Sequence, residues 1–325
     1  GRTMLAWVEW PLMAEDISQL PPSLIDGVMG GDLEFLRMEK EVGIRQLAYS
    51  SIQGMEDLFP NYFPTVYRGR ATEGRLGGIA QTIRKGLANG ADPIGSFGAA
   101  WDDAGLHEET FWLGWATVTQ YAWTHLSPAV EQNVADFMDQ YYGRSSTLDM
   151  VKVYDMLLEG ARFYESSWDQ IVSKERTRAY DDRDRKFDVK HRRFDKSLTI
   201  PSLPDPEFLS LQPVFSLKYA GLLEQARLQK KRNEQLCSLL LWGLGRVERN
   251  RYGLEVFLSI AYFQQYFIRT LLDLESVEQT LLEASSRSDE NDPEGAVTAL
   301  RRAAATLQSS NEWKDWMWSN LKQVC

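Results

Sequence analysis

The sequence has little that would bind a metal. Its 325 residues include 2 cysteines and 3 histidines. Cys237 sits in the apolar helical stretch EQLCSLLLWGL, and Cys325 is the last residue. No disulfide framework or zinc-ligand spacing can be built from this pair. His107, His125 and His191 form no HxxxH or HExxH pattern. No metal and no other cofactor is therefore expected. Long hydrophobic runs are missing too. None reaches the ~18 residues that span a bilayer, so a membrane is not an expected partner. Positive charge is in short supply: Lys plus Arg total 36 against 46 Asp plus Glu, a net charge of -10. Phosphate binding wants a basic surface, so nucleic acid is not expected either. The glycines of RLGGIAQ have neither GxGxxG nor P-loop spacing. Ser50 and Ser51 lie in no GxSxG frame, which argues against a serine nucleophile.

Proline is absent from Ala129 to Ile200 and from Val214 to Asp292. Such tracts suit long helices. The helical segments expected there are Glu108–Thr124, Ala129–Tyr142, Leu148–Tyr180, Phe215–Arg249, Tyr252–Ser285 and Glu294–Lys322. The linker SLTIPSLPDPEFLSLQP, with four prolines, divides them. The mixed-charge run from Arg178 to Lys196 reads as an exposed loop. The dense apolar stretch LEVFLSIAYFQQYFIRTLL is expected to be buried within the helical domain or to form a dimer face. A homodimer through the helical domain is one possible assembly.

The first hundred residues have a different texture. Short apolar runs, Thr3–Val8, Leu24–Met29, Ile44–Ser51 and Pro93–Trp101, alternate with helical patterns over Asp32–Val42 and Leu76–Asn89. Asp32 suits an N-cap, and Gly43 and Gly90 suit left-handed stops. Alternating strands and helices predict an α/β fold with a parallel sheet. Four β/α units are half of an eightfold barrel. The fold expected is thus the C-terminal half of a (β/α)8 TIM-type barrel over residues 1–125, followed by a mostly α-helical domain over 126–325. The start at Gly1, with no signal peptide before TMLAWVEW, leads us to expect a piece of a longer gene product. No localisation is assigned.

Barrel enzymes carry their sites at the C-terminal ends of the strands. That rule selects Trp7 and Glu9 on the first strand, Tyr49 on the third, and Trp101, Asp102 and Asp103 at the end of the fourth. The chain is rich in aromatics, with 11 Trp, 13 Tyr and 14 Phe. Aromatic walls stack on sugar rings, and carboxylates bind hydroxyls or move protons. Each residue has a plainer reading. Glu9 could be an ion-pair partner at a strand end, Asp102 or Asp103 a helix cap or turn former, and Tyr49 a core residue.

TMLAWVEW and GAAWDDAGLHEETFWLGWATVTQYAW resemble segments of family 20 glycoside hydrolases, the β-N-acetylhexosaminidases. The resemblance covers roughly residues 1–125. It implies removal of a terminal β-linked N-acetylhexosamine by substrate-assisted retaining hydrolysis. Trp101 would wall the terminal sugar, Asp103 would replace the family's glutamate that binds outer hydroxyls, Trp7 would stack, and Tyr49 would meet the acetamido group. The family's catalytic Asp-Glu pair has no counterpart here. The resemblance places it upstream, on an N-terminal half of the barrel, so no catalytic residue is expected in this chain and the isolated chain should be inactive. Two alternatives stand beside this reading. One is a different glycosidase pairing Glu9 with Asp102 or Asp103. The other is a non-catalytic helical interaction protein.

Overall fold

A computed structural model describes residues 4–8, 19, 26–30, 39–51, 58–67, 70–72, 74–88, 90, 93–100, 106–124, 126, 128–167 and 212–324. Among them the chain forms two compact units, one up to Tyr141 and one from Tyr142 onward.

The first unit is built on a four-stranded sheet of β1 (Leu5–Val8), β2 (Gly27–Gly30), β3 (Arg45–Ser51) and β6 (Pro93–Ala99). The strands pair in that order, and every pairing is parallel. The parallel α/β reading of this region therefore holds. Between β3 and β6 lie a short antiparallel hairpin, β4 (Thr65–Tyr67) with β5 (Arg70–Thr72), and helix α1 (Gly74–Ala88). The hairpin was not expected. Its strands have three residues each, too short for an alternating pattern to register. Helix α2 (Trp112–Trp123) follows β6, and α3 (Val130–Tyr141) follows α2.

Glycine ends two of the predicted helices as expected. Gly43 has φ +80 after the helical residues 39–41, and Gly90 has φ +83 after α1. Residues 32–38 of the first predicted helix lie outside the described set.

The two faces of the sheet differ. Val28, Gln46 and Ser50 share one face and are buried, Gln46 to 1% and Ser50 to 4%. That face carries the helices. A Cβ on Gly98 would lie 2.8 Å from Val118 and 3.4 Å from Trp115, both on α2. Helix α1 packs on β3, β6 and α2, burying Leu76, Ile79, Ala80 and Ile83. Met29, Leu47, Tyr49 and Phe97, on the opposite face, are half-buried.

The second unit is helical: α4 (Thr147–Ser167), α5 (Val214–Lys218), α6 (Ala220–Leu244), α7 (Arg251–Asp289) and α8 (Pro293–Val324). The predicted helix Phe215–Arg249 is broken. Tyr219, at φ -106 and ψ 18, separates α5 from α6. The short helix α5 is anchored from outside at its start, where Glu278 of α7 accepts from the Phe215 amide at 2.6 Å, the Ser216 amide at 2.8 Å and the Ser216 hydroxyl. A carboxylate on unpaired helix-start amides satisfies them and suits the local dipole.

Helix α7 has 39 residues, about 58 Å at 1.5 Å per residue. It packs against α4, α6 and α8, and this burial uses its apolar residues. Phe163, Phe215, Leu223, Ala226, Phe267, Ile268 and Leu271 form a cluster between α4, α5, α6 and α7. Asn233 ties α6 to α7 by donating to the Ala261 carbonyl at 2.9 Å. Gln264 ties α7 to α4 by donating to the Leu157 carbonyl at 3.1 Å. Asp292 caps α8 by accepting from the Gly295 amide at 3.0 Å, with Pro293 at the first helical position. The charged run from Arg178 to Lys196 lies outside the described residues. No described helix is long and apolar enough to cross a membrane.

Candidate functional site

Parallel register decides which strand-end residues stand side by side. Trp7 is in register with Met29, Met29 with Leu47, and Leu47 with Gly95. Two rows further towards the strand ends, Tyr49 faces Phe97. Their rings stack with centroids 6.1 Å apart and planes inclined by 20°. The structure thus brings the strand positions of Trp7 and Tyr49 to within two rows of each other in one sheet. It pairs Tyr49 with Phe97, a residue the sequence did not single out. Glu9, Trp101, Asp102 and Asp103 lie outside the described residues.

A second cluster lies at the start of α2. Because Gly98, near the end of β6, packs on Trp115 and Val118 in the first turns of α2, this helix starts at the C-terminal end of the sheet. The Glu109 amide donates to His107 Nδ1 at 3.1 Å, capping the 3-10 turn Glu108–Thr110. The Glu109 carboxylate accepts from the Tyr141 hydroxyl at 3.2 Å. Tyr141 stacks on Phe137 at 4.9 Å and 15°, and meets Trp112 at 6.4 Å. Trp112 itself is 41% exposed. Burial, and then the Glu109 charge, push the Tyr141 phenol far above its ordinary range. The phenol therefore stays a neutral donor to Glu109 at all physiological pH.

Tyr62 anchors this cluster to the loop after β3. Its hydroxyl donates to the Thr110 carbonyl and accepts from the Gly114 amide at 3.4 Å, while its ring packs edge-on against Phe59 at 5.9 Å. The buried phenol fixes the turn bearing Glu109 and Trp112 in relation to the segment leading to α1, since the Arg75 and Leu76 amides bond to the Asn61 and Tyr62 carbonyls.

The result is an indole with exposed surface, backed by two stacked rings, beside a carboxylate fixed by a phenol. Such a ledge can stack a flat, partly apolar ring and accept hydrogen bonds from its hydroxyls. LHEETFW carried the signal in the acid and the indole three residues apart, which helical spacing places on one side. Its partner Tyr141 is 32 residues away and could not be paired by pattern. Among the described residues no group of three or more His, Cys, Asp or Glu is placed to hold a metal ion.

The chain matches no protein-family model, no curated protein and no solved structure.

Proposed function

We propose that this chain is part of a glycoside hydrolase that removes terminal β-linked N-acetylhexosamine. Its four parallel strands would be the last four of a (β/α)8 barrel. Two features support the barrel reading. The strands run in sequential order with no reversal, unlike a doubly wound sheet, and α1 and α2 pack on the same face. The opposite face, with Met29, Leu47, Tyr49 and Phe97, would then line the barrel interior. The single observation that carries the sugar-binding reading is the aromatic and carboxylate array at the C-terminal end of the strands, Tyr49 with Phe97 and Trp112 with Glu109 and Tyr141.

In this reading the other four strands carry the catalytic Asp-Glu pair and come from a segment outside residues 1–325. The acetamido oxygen of the substrate attacks the anomeric carbon, the Asp orients the acetamide, and the Glu first protonates the leaving oxygen and then activates water. Trp7 and Trp101 stack on the sugar, Tyr49 meets the acetamido group, and Glu9, Asp102 and Asp103 bind hydroxyls.

The test is calorimetric titration of the 325-residue chain with N-acetylglucosamine, alongside a nitrophenyl β-N-acetylglucosaminide assay. Weak binding without hydrolysis is expected, with hydrolysis appearing when the missing barrel half is co-expressed. No binding and no activity in either form would overturn the proposal. Hydrolysis by the isolated chain, lost in Glu9→Gln, would transfer the chemistry to Glu9 with Asp102 or Asp103.

A further inference from the structure

Helix α8 carries two stripes where one would suffice to bury it against α7. The first runs through Ala299, Ala303, Trp313 and Met317, of which Ala299, Ala303 and Met317 are buried. The second is displaced by one residue. It comprises Val297, Leu300, Ala304, Leu307, Asn311, Lys314 and Trp318, at alternating spacings of three and four. That spacing is the heptad seam of a helix paired with another helix. Val297, Leu300 and Leu307 are 46%, 47% and 45% exposed, and Trp318 is 43% exposed. Among the described residues the helix packed extensively against α8 is α7, on the other stripe.

We propose that the second stripe is a dimerisation surface, on which α8 of a second copy of this chain lies antiparallel across a two-fold axis near Gln308. The argument for a second copy is that the pattern is complementary to itself. Arg301 and Asp315 flank the stripe on the same side, each seven residues from Gln308. The stripe's ends, Val297 and Trp318, are centred between Leu307 and Gln308. Antiparallel pairing about Gln308 sets Arg301 against Asp315 of the second copy, and does so twice, because a two-fold contact is isologous. In the antiparallel pair, Trp318 covers Val297 and Leu300 of the other copy, Leu307 packs beside Leu307 and Asn311, and Gln308 meets Gln308. Within one copy the Lys314 ammonium donates to Asn311 at 2.6 Å and stands 3.8 Å from the Asp315 carboxylate, a loose exposed pair that leaves this carboxylate able to meet Arg301 of the second copy. At a net charge of -10 two copies repel each other, so a face with crossed Arg-Asp pairs is where they can meet. The dimer is independent of the glycosidase reading.

Sedimentation equilibrium of the whole 325-residue chain tests this. A concentration-dependent dimer is expected in the micromolar range. Leu300→Glu with Leu307→Glu should leave a monomer of unchanged helicity, since both side chains belong to the exposed stripe and not to the buried one. Arg301→Asp alone, or Asp315→Arg alone, should weaken the dimer roughly tenfold. The double exchange, Arg301→Asp with Asp315→Arg, should restore it. A wild-type monomer up to high micromolar concentration would overturn the proposal. So would a dimer indifferent to the leucine changes, or a double exchange as weak as the single ones.

Discussion

The two units solve the burial problem in different ways. In the helical unit the long helix α7 is covered by α4, α6 and α8, and Asn233, Gln264 and Glu278 bond across the interfaces. In the β/α unit the sheet has one face sealed by α1 and α2 and another whose aromatic and aliphatic residues are half-buried. The helical unit leaves its open apolar stripe on the outside of α8, a long narrow surface suited to another helix. A unit with one sheet face and one strand-end rim still partly open has room for a ligand. Buried substitutions should therefore unfold either unit, whereas substitutions at the open rim should alter binding without unfolding it.

The largest effect of a substitution on stability is expected at Glu278. Its carboxylate holds two amides and a hydroxyl at the start of α5. Glu278→Ala would leave those donors without a partner in a buried place. The cost should be about 3 kcal/mol, and the helical unit should melt about 10 °C lower. Thermal unfolding followed by circular dichroism at 222 nm measures it. A shift of a degree or less would mean that α5 is held by packing of Phe215 instead.

A pair of glycines separates the faces of the sheet. Gly98 lies on the sealed face, where a Cβ would come within 2.8 Å of Val118; Gly95 lies on the other, where it would meet Leu47 at 3.6 Å. Gly98→Ala should cost about 2 kcal/mol through overpacking. Gly95→Ala should be neutral within ~0.5 kcal/mol. Equal costs would remove the asymmetry between the faces.

Glu39 tests the sealed face by pH. It is fully buried, and burial pushes its carboxyl up to about 7, with the Gln46 carboxamide opposing the shift. Unfolded, the group titrates near 4.3. The folded state therefore binds the proton more tightly, and the stability this provides is complete below pH 4. It is lost as pH rises from there through 7, by roughly 3.5 kcal/mol in all. Urea unfolding at pH 5 and pH 8 measures the loss, and Glu39→Gln should flatten it. An unchanged slope in the variant would assign the pH dependence to other groups.

The fold was legible in sequence where local rules act alone. The parallel strands, the glycine stops at Gly43 and Gly90, and the long proline-free helices all follow from spacing and backbone freedom. The anchoring of α5 was not legible, because its partner, Glu278, is on another helix 63 residues from Phe215. The rim was partly legible. Strand ends could be chosen by rule, which found Trp7 and Tyr49. Phe97 needed the register of β3 with β6, and the ledge of Glu109, Trp112 and Tyr141 needed α3 to fold back against the start of α2. Helical patterning counted Trp112 as one more apolar residue of its helix.

The most informative effect on function is expected at Trp112. The indole is 41% exposed and packs on Tyr141 at 6.4 Å, so Trp112→Ala removes a ring that is a little more than half buried. Unfolding should shift by about 1 to 2 kcal/mol. If the ledge stacks a sugar ring, the affinity for N-acetylglucosamine measured by calorimetry should fall about tenfold, a loss of ~1.4 kcal/mol. Trp112→Phe should recover part of it, because a smaller ring still offers a face. Tyr141→Phe should reduce affinity less, through a Glu109 carboxylate no longer held by the phenol. An unchanged affinity together with a lower melting temperature would make Trp112 a packing residue and return the search for the sugar site to Tyr49 and the ends of the strands.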